Sequence, residues 1–287
     1  MKKTLLNALA LLFIINFAHA QITIPQASSS GSVSSKVGLT DVKIDYARPK
    51  MKGRKIFGEG SDFLQPYGEI WRSGANSGSI INFSTDVEVA GQKVAAGEYL
   101  IFTIPGKDSW QFMLYSDLSL GGNVEKYDKA NEVLSTTVTP IALSQPVQTL
   151  TFNISDLSED NTTAAIELTW ADVAIKVPMK VDFDSDVMAQ IEKNTKVNAR
   201  NYVTAANYYF ETGRDLQQAL TWINMYLAEG KNSEQFWHLH TKAKILAKMG
   251  NKKEAKLVAE DSMSKAKVYE GGDFGYIKRN EDLIKSL

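Results

Sequence analysis

The 287-residue chain contains no cysteine. Disulfides, thiolate nucleophiles and cysteine-based metal sites are therefore excluded, as is a lipid anchor on a cysteine behind a leader. Histidine is almost as scarce, with three residues, His19, His238 and His240. Between them lies a long stretch with neither residue type, so a Ser-His-Asp triad, a Cys nucleophile or a His-based zinc site is excluded there. His238 and His240 sit two apart on an expected helix and point about 200° apart, so they cannot share one metal ion. One of them is expected to pack and the other to face solvent. Phosphate-loop and dinucleotide fingerprints are absent too. The formal charge is −1, which leaves no global basic field to hold nucleic acid. Long apolar runs are missing after the first twenty residues, so no transmembrane helix is expected.

Those first twenty residues read MKKTLLNALALLFIINFAHA. Lys2 and Lys3 precede an apolar run from Leu5 to Ala18, and Ala18-His19-Ala20 is a small-x-small cleavage site. This is the pattern of a secretory signal peptide, residues 1–20. A mature chain from Gln21 loses two lysines and carries a formal charge of −3. Residues 21–35 read as a flexible N-terminus. The expected location is the periplasm, with release outside the cell as the other destination of such a leader.

From 36 to 185 the hydropathy period is two, the mark of β-strands. Ile81, Phe83, Thr85, Val87 and Val89 share one parity and read as one strand. Leu150, Phe152 and Ile154 form another face. Ala164, Ile166, Leu168 and Trp170 make a third run, and Val173 to Val181 a fourth. Pro178 in that last run suggests a sheet edge, because proline donates no ladder bond. Tyr99 to Ile104 is apolar on both faces, which suits a central strand, and Trp110 to Tyr115 is its expected neighbour across Pro105–Ser109. Turn chemistry at Ala90-Gly91-Gln92, Gly121-Gly122-Asn123 and Ser158–Asn161 separates the runs. Seven to nine short strands point to an antiparallel β-sandwich.

From Val187 to Leu287 proline is absent and the helical period takes over. Ala206 matches Ala243, Tyr209 matches Leu246 and Gly213 matches Gly250, each 37 residues on, with Ala219 and Ala255 nearly in step. Small residues let two helices approach, and the glycine ends the first. This resembles the tetratricopeptide repeat, whose period is about 34. Residues 186–287 are thus expected to form a helical hairpin domain with a last short helix after Gly271-Gly272. The fold class is two-domain, a β-sandwich followed by this α-helical part.

The candidate site is Pro66–Asn76, PYGEIWRSGAN. Arg72 offers a planar fork for a carboxylate or phosphate. With Asn76, Trp71 and Tyr67 it could line a pocket for a small anion or sugar. Alternatively Trp71 plugs the core and Arg72 ties an internal carboxylate, Asp62 or Glu69. Glu59, Asp62 and Glu69 could also serve as paired glycosidase carboxylates. Arg48, Lys50, Lys52, Arg54 and Lys55 form a basic run that reads as a solvated loop, since Pro49 and Gly53 break it. No catalytic residue, metal ligand or cofactor is assigned.

The blocks KGRKIFG, PYGEIWRSGAN and INFSTDVEVAGQKVAAGEYLIFTIPG resemble the bacterial exported family called domain of unknown function 2911. The matching positions are Gly53, Arg54, Phe57, Gly58, Pro66 to Gly68, Trp71, Arg72, Gly74 to Asn76, Ala96, Gly97, Tyr99 and Phe102 to Gly106. The resemblance covers residues 36–183 and implies export and prominence of the Trp-Arg motif, but no activity. The chain departs from the family in its longer EGSDFLQ segment and in Ser77, where relatives carry an acid. That loss weakens a general-base or metal role for the loop. The expected function is a non-catalytic binding or interaction protein of the bacterial envelope. It would engage an envelope protein through the helical part, or a small anionic or sugar ligand. The alternative is a carboxylate/Arg-type hydrolase acting on glycan or peptide fragments.

Overall fold

The computed structural model describes residues 24–194 and 198–287, and the expected leader, residues 1–20, lies outside them. The chain divides into two compact units, one ending at Asp182 and the other starting at Phe183.

The first unit holds strands β1 (Ser29–Val37), β2 (Thr40–Arg48), β3 (Phe57–Gly58), β4 (Gln65–Pro66), β5 (Ser79–Phe83) and β6 (Val87–Val89). These are followed by β7 (Gln92–Val94), β8 (Gly97–Ile104), β9 (Trp110–Tyr115), β10 (Glu132–Val138), β11 (Ile141–Ser155) and β12 (Thr163–Val181). Six of them make a sheet in the order β1-β2-β5-β8-β9-β10, and four make a second in the order β11-β12-β6-β7. Every pairing in these two sheets is antiparallel. The period of two is plainest in β2, where Thr40, Val42, Ile44 and Tyr46 are buried and Asp41, Lys43 and Asp45 are exposed. The inner faces meet through aromatic side chains. Tyr46 of β2 lies edge-on to Phe152 of β11, with ring centres 5.1 Å apart.

β8 is central, between β5 and β9, as its two apolar faces require. Its second face is covered by residues after β9. Leu120, Val124 and Tyr127 pack on Leu100, Phe102, Met113 and Tyr115.

Three expectations are corrected here. First, the run 80–89 is two strands. β5 belongs to the six-stranded sheet and β6 to the other, so the chain changes sheets between Phe83 and Val87. Parity alone cannot reveal such a crossing, because both strands keep their odd-numbered residues inward. Second, the segment 21–35 is not wholly loose. β1 starts at Ser29 and pairs residue by residue with β2, from Ser29↔Arg48 to Val37↔Thr40. It is an edge strand ordered by backbone bonds, so its serine-rich side chains carry no hydrophobic alternation. Third, Pro178 is not at a sheet edge. Val181 N–H donates to Thr162 O at 2.9 Å, although a straight strand would separate them by about 60 Å. β12 therefore doubles back, at Ala171, whose φ is 53°. Its two arms are the third and fourth alternating runs. The second arm pairs with β6, Met179 opposite Val89 and Val181 opposite Val87. Pro178 falls opposite Ala90, one place past the last of these pairs, and only its carbonyl is used, accepting from Ala90 N–H at 2.8 Å.

The second unit contains α1 (Asp184–Asn194), α2 (Ala199–Glu211), α3 (Leu216–Leu227), α4 (Phe236–Lys248), α5 (Lys252–Val268) and α6 (Tyr276–Ser286). Asn198 and Asp215 cap α2 and α3, their side chains accepting from the N–H groups of Arg200 and Gln218. Gly213 and Gly250 follow α2 and α4 with φ of 70° and 82°, the left-handed turn that glycine adopts freely. Ala206, Ala219, Ala243, Leu246 and Ala255 are fully buried. The last short helix expected after Gly271-Gly272 is α6, whereas α1 has no counterpart in the sequence expectations.

Candidate functional site

The Trp-Arg segment is fixed to the β unit at several points. Tyr67 N–H donates to Gly58 O at 2.8 Å and Gly68 N–H to Pro105 O at 2.8 Å. Trp71 exchanges both backbone bonds with Thr103 of β8, at 2.7 and 2.8 Å. The indole is 3 % exposed. It stacks on Trp170 at 5.7 Å and meets Phe57 edge-on at 5.6 Å. Phe57 in turn stands edge-on to Trp110 at 4.8 Å. Four large rings from four parts of the chain thus close the sandwich, and Trp71 is a core plug. Its Nε1–H is satisfied by Gly74 O at 3.1 Å, which bends the chain straight after the ring.

That bend uses unusual backbone. Ser73, Asn76 and Gly78 all have positive φ, at 51°, 59° and 89°. Ser73 is buried and pinned twice: its Oγ donates to Thr103 Oγ1 at 3.1 Å, and its carbonyl accepts from Ser79 Oγ at 2.8 Å. Such strain persists only where the surroundings over-determine it.

Arg72 points away from Trp71. Its Nη1 donates to Gly122 O at 3.3 Å. A Cβ at Gly122 would lie 2.3 Å from Arg72 Cδ, and one at Gly78 would lie 3.2 Å from Gly121 O. The arginine therefore lies against Gly122, while Gly121 packs on the turn at Gly78. No carboxylate among the described residues is in ion-pair contact with it, and its buried Nε has no hydrogen-bond partner. The expected tie to Asp62 or Glu69 is thus absent. Both carboxylates are exposed on the segments flanking β4.

The remaining candidates look elsewhere. Asn76 is exposed and its Nδ2 donates to Gln26 Oε1 at 3.3 Å. Tyr67 is half-buried. Burial, then the charges of Asp172, Glu59 and Asp108, pushes its hydroxyl pKa up. The six candidates Arg72, Asn76, Trp71, Tyr67, Glu69 and Asp62 make no hydrogen bond or ion pair with one another. The contact of Arg72 with Gly122 is the feature of this segment that the sequence does not reveal. Gly121-Gly122 reads only as a turn, and nothing in its spacing to Arg72 signals contact.

The basic run satisfies itself locally. Arg54 donates to Met51 O at 3.0 Å and Lys50 O at 2.7 Å, closing its own loop. Lys55 lies over the Phe63 ring at 5.6 Å.

In the helical unit neither histidine is solvent-facing, contrary to expectation; both are half-buried. His238 meets the Tyr226 ring edge-on at 5.0 Å. His240 Nδ1 lies 2.7 Å from Asn280 Oδ1. Asn280 is fully buried. Its Nδ2 donates to Ser262 Oγ at 2.9 Å and Tyr276 O at 2.8 Å, and Ser262 Oγ donates to Phe236 O at 2.7 Å. One amide therefore joins α4, α5 and α6. Burial lowers the pKa of both imidazoles. For His240 the nearby Lys244 and Arg279 lower it further, while the bond to Asn280 opposes them. No group of three or more metal-ligating side chains is gathered among the described residues.

The helical unit also carries a groove of about 820 Å³ between α1, α2 and α3. Met188, Ile191, Tyr202, Tyr209, Trp222 and Met225 wall it, with Glu192 and Gln218 also lining it. Tyr209 and Trp222 stand edge-on at 4.8 Å.

Comparison with known families matches residues 28–179 to the family described as protein of unknown function (DUF2911). The match runs from just before β1 into the second arm of β12 and includes the whole Trp-Arg segment and Gly122. No curated protein matches the chain, and no solved structure matches it.

Proposed function

We propose that this chain, which belongs to the family described as protein of unknown function (DUF2911), is an exported, non-catalytic binding protein of the bacterial envelope. In this reading the β unit is a scaffold and the helical unit presents the binding surface. The observation that carries it is the groove between α1, α2 and α3. Its walls combine aromatic and methionine side chains, the composition that suits insertion of an apolar protein segment. The Trp-Arg segment is better explained as a rigid corner, because its tryptophan is core and its arginine is seated on backbone.

Two further points support the reading. The paired positions Ala206/Ala243 and Gly213/Gly250 play equal parts, buried alanine and left-handed turn, which favours a tetratricopeptide-like pair of hairpins ending in α6. Repeats of this kind offer surfaces to protein partners. The leader pattern of residues 1–20 supports a periplasmic location in this reading. The hydrolase alternative has less behind it, since Asp62 and Glu69 are exposed and neither bonds to Arg72.

The test is cross-linking and co-purification from the native envelope with the wild type and Met225→Asp. Met225 is 45 % exposed at the groove, so the variant should keep its melting temperature and lose the groove partner. An unchanged partner set removes the groove from consideration. Sequencing the N-terminus of the periplasmic protein tests export separately: a start at Gln21 is expected, and a retained Met1 overturns it.

A further inference from the structure

Residues 242–256 carry six lysines and one carboxylate, Glu254, in a chain whose formal charge is −1. Lys242 lies mid-way along α4, whereas Lys244 and Lys248 stand in its last two turns and Lys252, Lys253 and Lys256 in the first two turns of α5. Lys244 Nζ and Lys248 Nζ lie 4.9 and 4.8 Å from the centre of the same Phe210 ring, and Lys248 also donates to Phe210 O at 2.7 Å. Lys252 donates to Leu287 O. Lys253 is exposed on the side of α5 opposite its buried stripe of Ala255, Ala259, Ser262 and Ala266, and Lys256 is exposed about 90° round the helix from that stripe. Among the described residues, the one side-chain carboxylate in ion-pair contact with any of the six lysines is Glu260, 3.9 Å from Lys256.

This arrangement works against the helix that bears it. Lysines in the first turn oppose the positive end of the helix dipole, where acids are favoured. Lys252 and Lys256 are a like-charged i,i+4 pair, and Lys253 and Lys256 a like-charged i,i+3 pair. Within this charge stand two exposed apolar side chains, Met249 at 36 % and Leu257 at 59 %.

We propose that this hairpin tip is a docking surface for the phosphate-bearing headgroups of an anionic membrane face. Lysine ammoniums are hydrated point charges suited to a diffuse anionic layer, whereas discrete carboxylates are better met by arginine forks. Met249 and Leu257 would enter the headgroup boundary between the lysines, as apolar residues do on surface-bound helices. A tip also meets a flat surface more readily than it encloses a peptide. The proposal rests on the tip and is independent of the groove.

The experiment is vesicle co-sedimentation of the chain from Gln21 onward. Vesicles of equal parts phosphatidylcholine and phosphatidylglycerol are compared with phosphatidylcholine alone. Binding is expected to the mixed vesicles alone, and to weaken with salt. Lys253→Glu with Lys256→Glu should weaken it about twentyfold or more, at about fivefold per charge lost. Lys256 gives up one exposed 3.9 Å pair with Glu260, and acids suit the first turn of a helix, so circular dichroism should be unchanged and melting should shift by no more than a few degrees in either direction. Lys253→Arg with Lys256→Arg should retain binding, and Leu257→Ser should weaken it without changing its salt dependence. Equal binding to neutral vesicles overturns the proposal, as does a charge-reversed protein that binds like the wild type. Salt-sensitive binding to poly-glutamate with none to mixed vesicles also overturns it, in favour of an acidic protein partner.

Discussion

Arg72 holds its place through shape as much as charge. Its aliphatic stem fills the space that a side chain at residue 122 would need, and its Nη1 serves the Gly122 carbonyl. Gly122→Ala should destabilise the β unit by about 1–3 kcal/mol, the usual range for an overpacked site. In an Arg72→Ala background the same change should cost less by at least about 0.5 kcal/mol, because one of its two close contacts is gone. The other, to Asn76 O at 2.8 Å, keeps the relief partial. Urea unfolding of the four proteins of this cycle measures the coupling. Strict additivity would show that arginine and glycine do not touch in solution.

Among the elements, the β6–β7 hairpin turns on Ala90 and Gly91, with φ of 48° and 79°. Two consecutive left-handed residues define the turn type that prefers Asn-Gly. Ala90→Asn should therefore raise stability by about 0.5–1 kcal/mol, read as a higher urea midpoint at an unchanged slope; a lower midpoint would contradict the turn assignment. Elements of this kind were the legible part of the chain. Tyr99–Ile104 and Trp110–Tyr115 are adjacent strands because continuous apolar runs have one place to go, and the helices after α1 follow from glycine stops and alanine spacing. The change of sheet after Phe83 was hidden because it preserves parity. β1 was hidden because an edge strand draws its order from backbone bonds, which leave no trace in side-chain pattern. At the candidate site, Trp71 was legible as a large ring beside turn residues. The direction of Arg72 was not, since its contact lies 50 residues away at Gly122, a residue without a side chain.

At the scale of the whole molecule, acid should act unequally on the two units. His238 and His240 are the histidines among the described residues, and both lie in the helical unit. Their folded pKa values lie below the ordinary histidine value, which is about 6.5. Between folded and unfolded values the unfolded chain binds more protons, so stability falls as pH falls. The full contribution is present above about pH 6.5 and is lost progressively below it. Hydrogen exchange between about pH 7.5 and 5.5, corrected for intrinsic rates, should show α4 and α6 losing protection while β8 keeps it. His240→Gln should reduce the difference. Equal loss in both units would place the sensitivity elsewhere. The partnership of β6 with the second arm of β12 has a different consequence, for the order of assembly. Val89 and Met179 are about 90 residues apart in the chain yet adjacent in the sheet. As the chain emerges N-terminus first, the β6–β7 hairpin is complete long before its neighbour follows, and until Val181 is available it presents an open edge. The second sheet is therefore the last part of the β unit to close, a slow non-local step during which a holding chaperone has a defined target.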